Sequence, residues 1–328
     1  MTPSTDFFQR GPIRRTTAAV LLTILAGAAL ASCSVDSSAA RANGAKSERF
    51  IQTAHDALPA DIQQSGTIKA ASSFDYPPFA HLNEASGDYV GVEKDILDSA
   101  QEYLGVKINY TNLGKFESLI PAAQSGQEQI VFDGMGIIAD RLKAVSFVYY
   151  ADADVAVLTR KGNPSGIDPA HLCGADLVDA PSGLSAMVYA KESEICVKKG
   201  EKPVHITLIP DPASAHAAVL SGQIAGAGTG SATGAYLAAA NPKFEVTNPV
   251  PGWATANGFI LQQSDSGAKL GKALSIAISA MTADGTMQKI FDKHGIKSKV
   301  PGKSMYVATP EELDALIASN PNLVRAAG

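Results

Sequence analysis

The chain has 328 residues, 45% of them hydrophobic and 18% charged, which allows two domains with separate cores and excludes a polytopic membrane protein or a wholly disordered chain. Lys and Arg number 27 against 32 Asp and Glu, for a net charge of -5. The basic footprint of a polyanion binder is missing, so no nucleic-acid partner is expected.

Arg10, Arg14 and Arg15 precede an apolar run from Ala18 to Leu30. A basic segment, a short apolar stretch and then small residues form a secretory signal, and this run is too short to span a hydrocarbon core of about 30 Å as a helix. Leu30-Ala31-Ser32-Cys33 resembles the lipobox of bacterial lipoproteins, in which cleavage before the cysteine leaves it first in the mature chain and diacylated. Residues 1–32 therefore read as a signal peptide and Cys33 as the lipid carrier. From Ser34 to Arg49 the residues are small and polar without hydrophobic period, as in a flexible tether; residues 33–60 are assigned to it.

Ile68 to Ser72 reads as a buried strand, followed by a helix with apolar Val92, Ile96, Leu97, Ala100 and Leu104. Val106, Ile108 and Tyr110 alternate as in a strand, Phe116, Leu119, Ile120 and Ala123 recur as on a helix, and Ile130 to Phe132 is a further strand. This alternation implies a mostly parallel sheet with helices on its faces, which binds ligands beyond the carboxyl ends of its strands. A second series starts after Val155, with strands over 175–180, 206–209 and 224–229 and helices over 184–198 and 213–220. Gly258 to Gln262 is strand-like, Leu270, Leu274, Ala277, Ile278 and Met281 share a helical face, and Thr286 is placed to cap a short helix. Thr309-Pro310-Glu311-Glu312 has the N-cap, proline and glutamate of a helix start.

No Walker A sequence, His-Glu-x-x-His or Gly-x-Ser-x-Gly is present and the six histidines are scattered, so no catalytic residue, cofactor or metal is expected. The glycines from Gly226 to Gly234 lack the spacing of a phosphate loop and read as a close-packed strand end and turn. Cys173 and Cys196 form an even pair, and in an exported chain such a pair points to a disulfide. His171 suggests a metal alternative without a second ligand spacing to support it.

Phe74-Asp75-Tyr76-Pro77-Pro78-Phe79 resembles the family 3 extracellular solute-binding proteins, the amino-acid receptors of ABC importers. The resemblance runs through Tyr89-Val90-Gly91-Val92-Glu93-Lys94-Asp95, Leu119-Ile120-Pro121-Ala122, Gly134-Met135-Gly136-Ile137-Ile138-Ala139-Asp140-Arg141 and Phe147 to Thr282-Ala283-Asp284-Gly285-Thr286. It implies an α/β fold of periplasmic-binding-protein type 2. In that fold, lobe 1 comprises residues 61–154 and 258–300 and lobe 2 residues 155–257, with crossings near 152–156 and 254–258. A C-terminal extension, 301–328, is left over. The Cys173–Cys196 pairing also resembles one in lipoprotein members from Gram-positive bacteria.

The resemblance implies a ligand site. Arg141 stands where the family's arginine forks onto a carboxylate, with backbone N–H groups at Gly134 and Gly136 beside it. Tyr76 and Phe116, with Phe79 in the same motif, stand where relatives sandwich the ligand side chain. Ser185 in Gly183-Leu184-Ser185 matches a helix N-terminal donor turn, or is only a helix cap. Relatives place an acid for the α-ammonium in the loop after Thr229, where this chain has Gly230, so either Asp133, Asp75 or another acid substitutes or the ligand is not an ordinary α-amino acid; Asp133, directly before Gly134, is the candidate for a cationic group. The implied function is a monomeric, lipid-anchored receptor on the outer face of a Gram-positive cell membrane, handing a small polar solute to an ABC permease. A cyclohexadienyl-dehydratase-like enzyme and a cell-surface sensor on the same fold are the alternatives.

Overall fold

The computed structural model describes residues 47–297 and 300–323; the signal segment and Cys33 lie outside them. Two short helices, α1 (Gln52–Asp56) and α2 (Ala60–Ser65), lead into β1 (Thr67–Ser72). The short strands β2 (Asp75–Tyr76), β3 (Ala80–Leu82) and β4 (Tyr89–Val90) form an antiparallel sheet of their own. There follow α3 (Val92–Leu104), β5 (Lys107–Asn112), α4 (Leu119–Ser125), β6 (Ile130–Val131), β7 (Gly136–Ile137) and the long β8 (Val145–Asp154). All five apolar residues predicted on one face of α3 are buried, as a 3.6-residue period requires.

The second lobe holds β9 (Ala156–Arg160), β10 (Asp176–Asp179), α5 (Leu184–Lys198), β11 (His205–Leu208), α6 (Pro212–Ser221), β12 (Gly226–Thr229), α7 (Ser231–Ala240) and β13 (Phe244–Val246). Its sheet has the order β11-β10-β12-β9-β13. The chain then returns through β14 (Ala254–Gln262) and closes with α8 (Asp265–Ala283), α9 (Thr286–Lys293), β15 (Tyr306–Val307) and α10 (Pro310–Ser319). In the first sheet β5, β1 and β6 are parallel, and in the second β10 is parallel to β11 and β12. The strands that link the lobes run antiparallel to these: β14 pairs with β6 and β8, and β9 with β12. Asp154 at the end of β8 pairs with Ala254 at the start of β14, so the two crossings lie side by side.

Three local features follow from side-chain volume and capping. A Cβ on Gly226 would stand 2.4 Å from Val157 Cγ1, the close packing expected of a strand, but the expected turn is a helix: Gly234 lies within α7, where a Cβ would stand 2.5 Å from Val246 Cγ2. Thr309 and Glu312 form a reciprocal capping box on α10. Thr286 is the first residue of α9 rather than its cap: the N-cap is Gly285, and Asp284 accepts the Thr286 N–H.

Two predicted boundaries move. The tether assigned to residues 33–60 does not reach so far, because Ala54 and Leu58 are buried in the first core and the Ile51 N–H donates to the Tyr103 carbonyl. The extension assigned to residues 301–328 is part of lobe 1 as far as it is described: β15 pairs with β8, and Val307, Leu313, Leu316 and Leu323 are buried with Leu119, Ile137 and Phe147. In lobe 2 Cys173 and Cys196 are joined by a disulfide, with Cα atoms 5.5 Å apart. Both sulfurs are thereby engaged, and His171 pairs with Glu201 beside them.

Candidate functional site

A cleft of about 550 Å³ opens between the two sheets. All ten residues expected at the site, Tyr76, Phe79, Phe116, Asp133, Gly134, Gly136, Arg141, Ser185, Thr229 and Gly230, lie on its wall. They come from strand ends, helix starts and the loops between them, because parallel strands expose their carboxyl ends on one side of a sheet. Lobe 1 supplies the first seven and lobe 2 the last three.

Arg141 is nine-tenths buried. Its Nη1 donates to the Gly136 carbonyl at 2.7 Å and its Nη2 to the Ser182 carbonyl at 2.9 Å, so one guanidinium touches both lobes. Burial lowers its pKa to about 10, opposed by the charge of Asp179, and it stays cationic at neutral pH. A guanidinium has five N–H donors, and these two bonds leave a fork for an anionic oxygen pair.

Tyr76 packs on Phe79 with near-parallel rings 5.8 Å apart, and burial pushes its phenol up to about 12. Gly134 makes that packing possible: its φ is +62°, and a Cβ there would stand 2.7 Å from the Tyr76 ring. The expected carboxylate donor at Gly134 is not available, however. Its N–H already donates to Glu93 Oε2 at 2.8 Å. Glu93 is fully buried, its Oε1 has no hydrogen-bond partner, and burial pushes its carboxyl up to about 8. Gly136 gives its carbonyl to Arg141, and a Cβ there would stand 3.0 Å from Leu184 of the opposite lobe.

Asp133 is buried and accepts hydrogen bonds from the hydroxyls of Ser72 and Ser73. Ser73 also contacts Asp75, although its hydroxyl has a single proton to donate. Burial, with Asp75 and Glu93 nearby, holds the Asp133 carboxyl well above the usual range. The cation anchor expected of Asp133 is thus a group already engaged within lobe 1.

In lobe 2 the cap of α5 comes from a residue the sequence reading did not select. Asp179 Oδ2 accepts the Ala186 N–H at 2.6 Å and Oδ1 the Ala180 N–H at 2.8 Å. Ser185 sits in the first turn of α5, after the N-cap Gly183. Burial raises the Asp179 carboxyl to about 6, against the pull of those two N–H groups and of Arg141. Thr229 is buried and turns its hydroxyl to the Gly230 carbonyl. Asp152 and Asp154, on the crossing strand β8, also face the cleft. The signal that marks Asp179 in the sequence is its place at the carboxyl end of a parallel strand.

A sequence model of the bacterial extracellular solute-binding proteins, family 3, matches residues 68–297. No curated protein sequence matches the chain. Among solved structures it is similar to an ancestral amino-acid-binding protein described as a precursor of cyclohexadienyl dehydratase, at 26% identity and TM-score 0.58 over 71% of this chain and 97% of that one. An ancestral arginine-binding protein bound to arginine is 25% identical, with TM-score 0.60 over 70% of this chain and 97% of that one. A histidine kinase sensor domain, 19% identical, shares the fold at TM-score 0.61 over 72% of this chain and 98% of that one.

Proposed function

Because the chain belongs to the bacterial extracellular solute-binding proteins of family 3, we propose that it is the receptor of an ABC importer and holds an amino acid, or an amino-acid-like carboxylate, between its lobes. The observation that carries this reading is Arg141, a buried cation that bonds to both lobes and retains free donors. Such a fork suits a carboxylate, whose charge would also compensate the desolvated guanidinium. Tyr76 and Phe116 give apolar surface for the rest of the solute. The paired crossings at Asp154 and Ala254 would let the lobes close over it as rigid bodies. Cys33 would tether this receptor, as a monomer, beside its permease. The arginine bound by one similar protein supports an amino acid as the class of solute.

A thermal-shift screen against amino acids, betaines, opines, polyamines and simple carboxylates tests this. A ligand at a hundred times its Kd adds about 2.7 kcal/mol to the folded state, enough to raise Tm by several degrees. At least one amino acid or close analogue is expected to do so; silence across both groups contradicts the reading.

A second reading rests on Asp133, a buried carboxyl on the cleft wall that burial holds well above the usual carboxylate range, the direction a dehydratase's general acid requires. Aromatic product from prephenate or arogenate would favour it.

A further inference from the structure

A ligand ammonium finds no acid at Gly230, although a Cβ there would make only ordinary contacts, 3.4 Å from the Asp154 carbonyl oxygen and 3.9 Å from the Tyr76 hydroxyl. One strand across, an acid stands at the cleft instead. Asp179 ends β10, which lies parallel to and beside β12, the strand that leads to Gly230. Two glycines clear a slot for its carboxyl: a Cβ on Gly183 would lie 2.5 Å from Asp179 Oδ2, and one on Gly228 would lie 2.9 Å from its carboxyl carbon.

Within that slot the carboxyl group is fixed in direction. Its two oxygens accept the Ala180 and Ala186 N–H groups, and each oxygen keeps a further acceptor site. The group lines the cleft, and Arg141 reaches the carbonyl of Ser182, three residues further along the same loop. Capping α5 accounts for the bond from Ala186, but not for the second glycine, Gly228, or for the residue's place on the cleft wall. Asp133, the other acid considered, has its oxygens turned to Ser72 and Ser73.

On the reading of the cleft as an amino-acid site, we infer that Asp179 receives the ligand's α-ammonium while Arg141 receives its carboxylate, so that the bound zwitterion ties lobe 2 to lobe 1. Each charge of the ligand then meets a fixed opposite charge in a desolvated place, where an unpaired one is costly. A solute without the amino group leaves Asp179 unanswered and binds less well. The ligand class is therefore the free α-amino acid, not a simple carboxylate or a quaternary betaine, which has no N–H to offer.

The test is calorimetric titration of the purified protein at neutral pH with the twenty protein amino acids. Each binder is compared with its deamino carboxylate, such as 5-guanidinopentanoate for arginine or 4-carbamoylbutanoate for glutamine. The wild type is expected to prefer the amino acid by roughly 10- to 100-fold, the range for a hydrogen bond to a charged group. Asp179→Asn is expected to bring the pair within about threefold, by weakening the amino acid and not the analogue. Asp179→Ser, which keeps a helix-capping oxygen, gives the same readout should the first variant fold poorly. Glu84→Gln removes an equal charge from the same cleft wall and is expected to leave the preference intact. Retention of the preference by either Asp179 variant overturns the assignment. A wild type that binds amino acid and analogue equally overturns it while leaving the carboxylate receptor standing; a wild type that binds neither overturns both.

Discussion

Glu93 offers a perturbation whose sign and size both follow from the structure. Its side chain is fully buried, Oε2 accepts the Gly134 N–H, and Oε1 has no partner. Burial raises the carboxyl from an ordinary 4.5 to about 8, so the folded protein holds this proton more tightly than the unfolded chain does. Stability from this group is therefore complete below about pH 4.5 and falls as pH rises, by about 1.4 kcal/mol per pH unit, until the folded-state value is passed. Over the whole interval the loss is about 5 kcal/mol. Glu93→Gln imitates the protonated form, keeps an acceptor for Gly134 and does not titrate. Denaturant unfolding of both proteins across this range is expected to show the variant gaining on the wild type at each step upward. Asp133 and Tyr150 remain in both proteins, but the Glu93 charge raises each of them, so its removal lowers both and adds to the variant's gain in the same direction. Parallel stability curves, or a wild type that gains on the variant as pH rises, would refute the account of Glu93 as a buried, proton-retaining acid.

Other expectations concern separate parts of the molecule. Cys196→Ser opens a loop with a sequence separation of 23 and is expected to lower stability by about 3 kcal/mol in denaturant unfolding; an unchanged midpoint would deny the bridge a structural role. Leu316→Ala truncates a side chain that is 1% exposed and is expected to cost about 2–5 kcal/mol, whereas an extension independent of lobe 1 would show almost no loss. Gly134→Ala places a methyl group 2.7 Å from the Tyr76 ring at a φ of +62°. Its stability is expected to drop by about 1–3 kcal/mol, with weakened amino-acid binding in calorimetry; wild-type values for both would mean that the ring is free to move.

The fold was legible wherever burial imposes a period. The face of α3 could be read because it repeats an apolar pattern over several turns. The packing of α1 could not: five residues are too few to show a period, and the polar run before it resembles a tether until Ala54 and Leu58 meet the core. The two-residue β15 is likewise defined only by the edge strand it joins. At the site, strand-end residues and the arginine fell together in one cleft because motif order tracks strand order. The Gly134 N–H was read as free because its acceptor, Glu93, lies 41 residues away. Asp179 does not stand out in the sequence, because an acid ending a strand looks like any solvated loop acid and its glycine slot forms only when β10, β12 and the start of α5 are brought together.

The central claim is that a carboxylate-bearing solute binds between the lobes on Arg141. Calorimetric titration of the wild type and Arg141→Met, with the amino acid that gives the largest thermal shift, tests it most directly. Loss of a charge-assisted fork is expected to weaken binding by roughly 10- to 150-fold while the variant remains folded. Equal affinity in the two proteins would contradict the claim, since this cation, which bonds both lobes, would then lie outside the site.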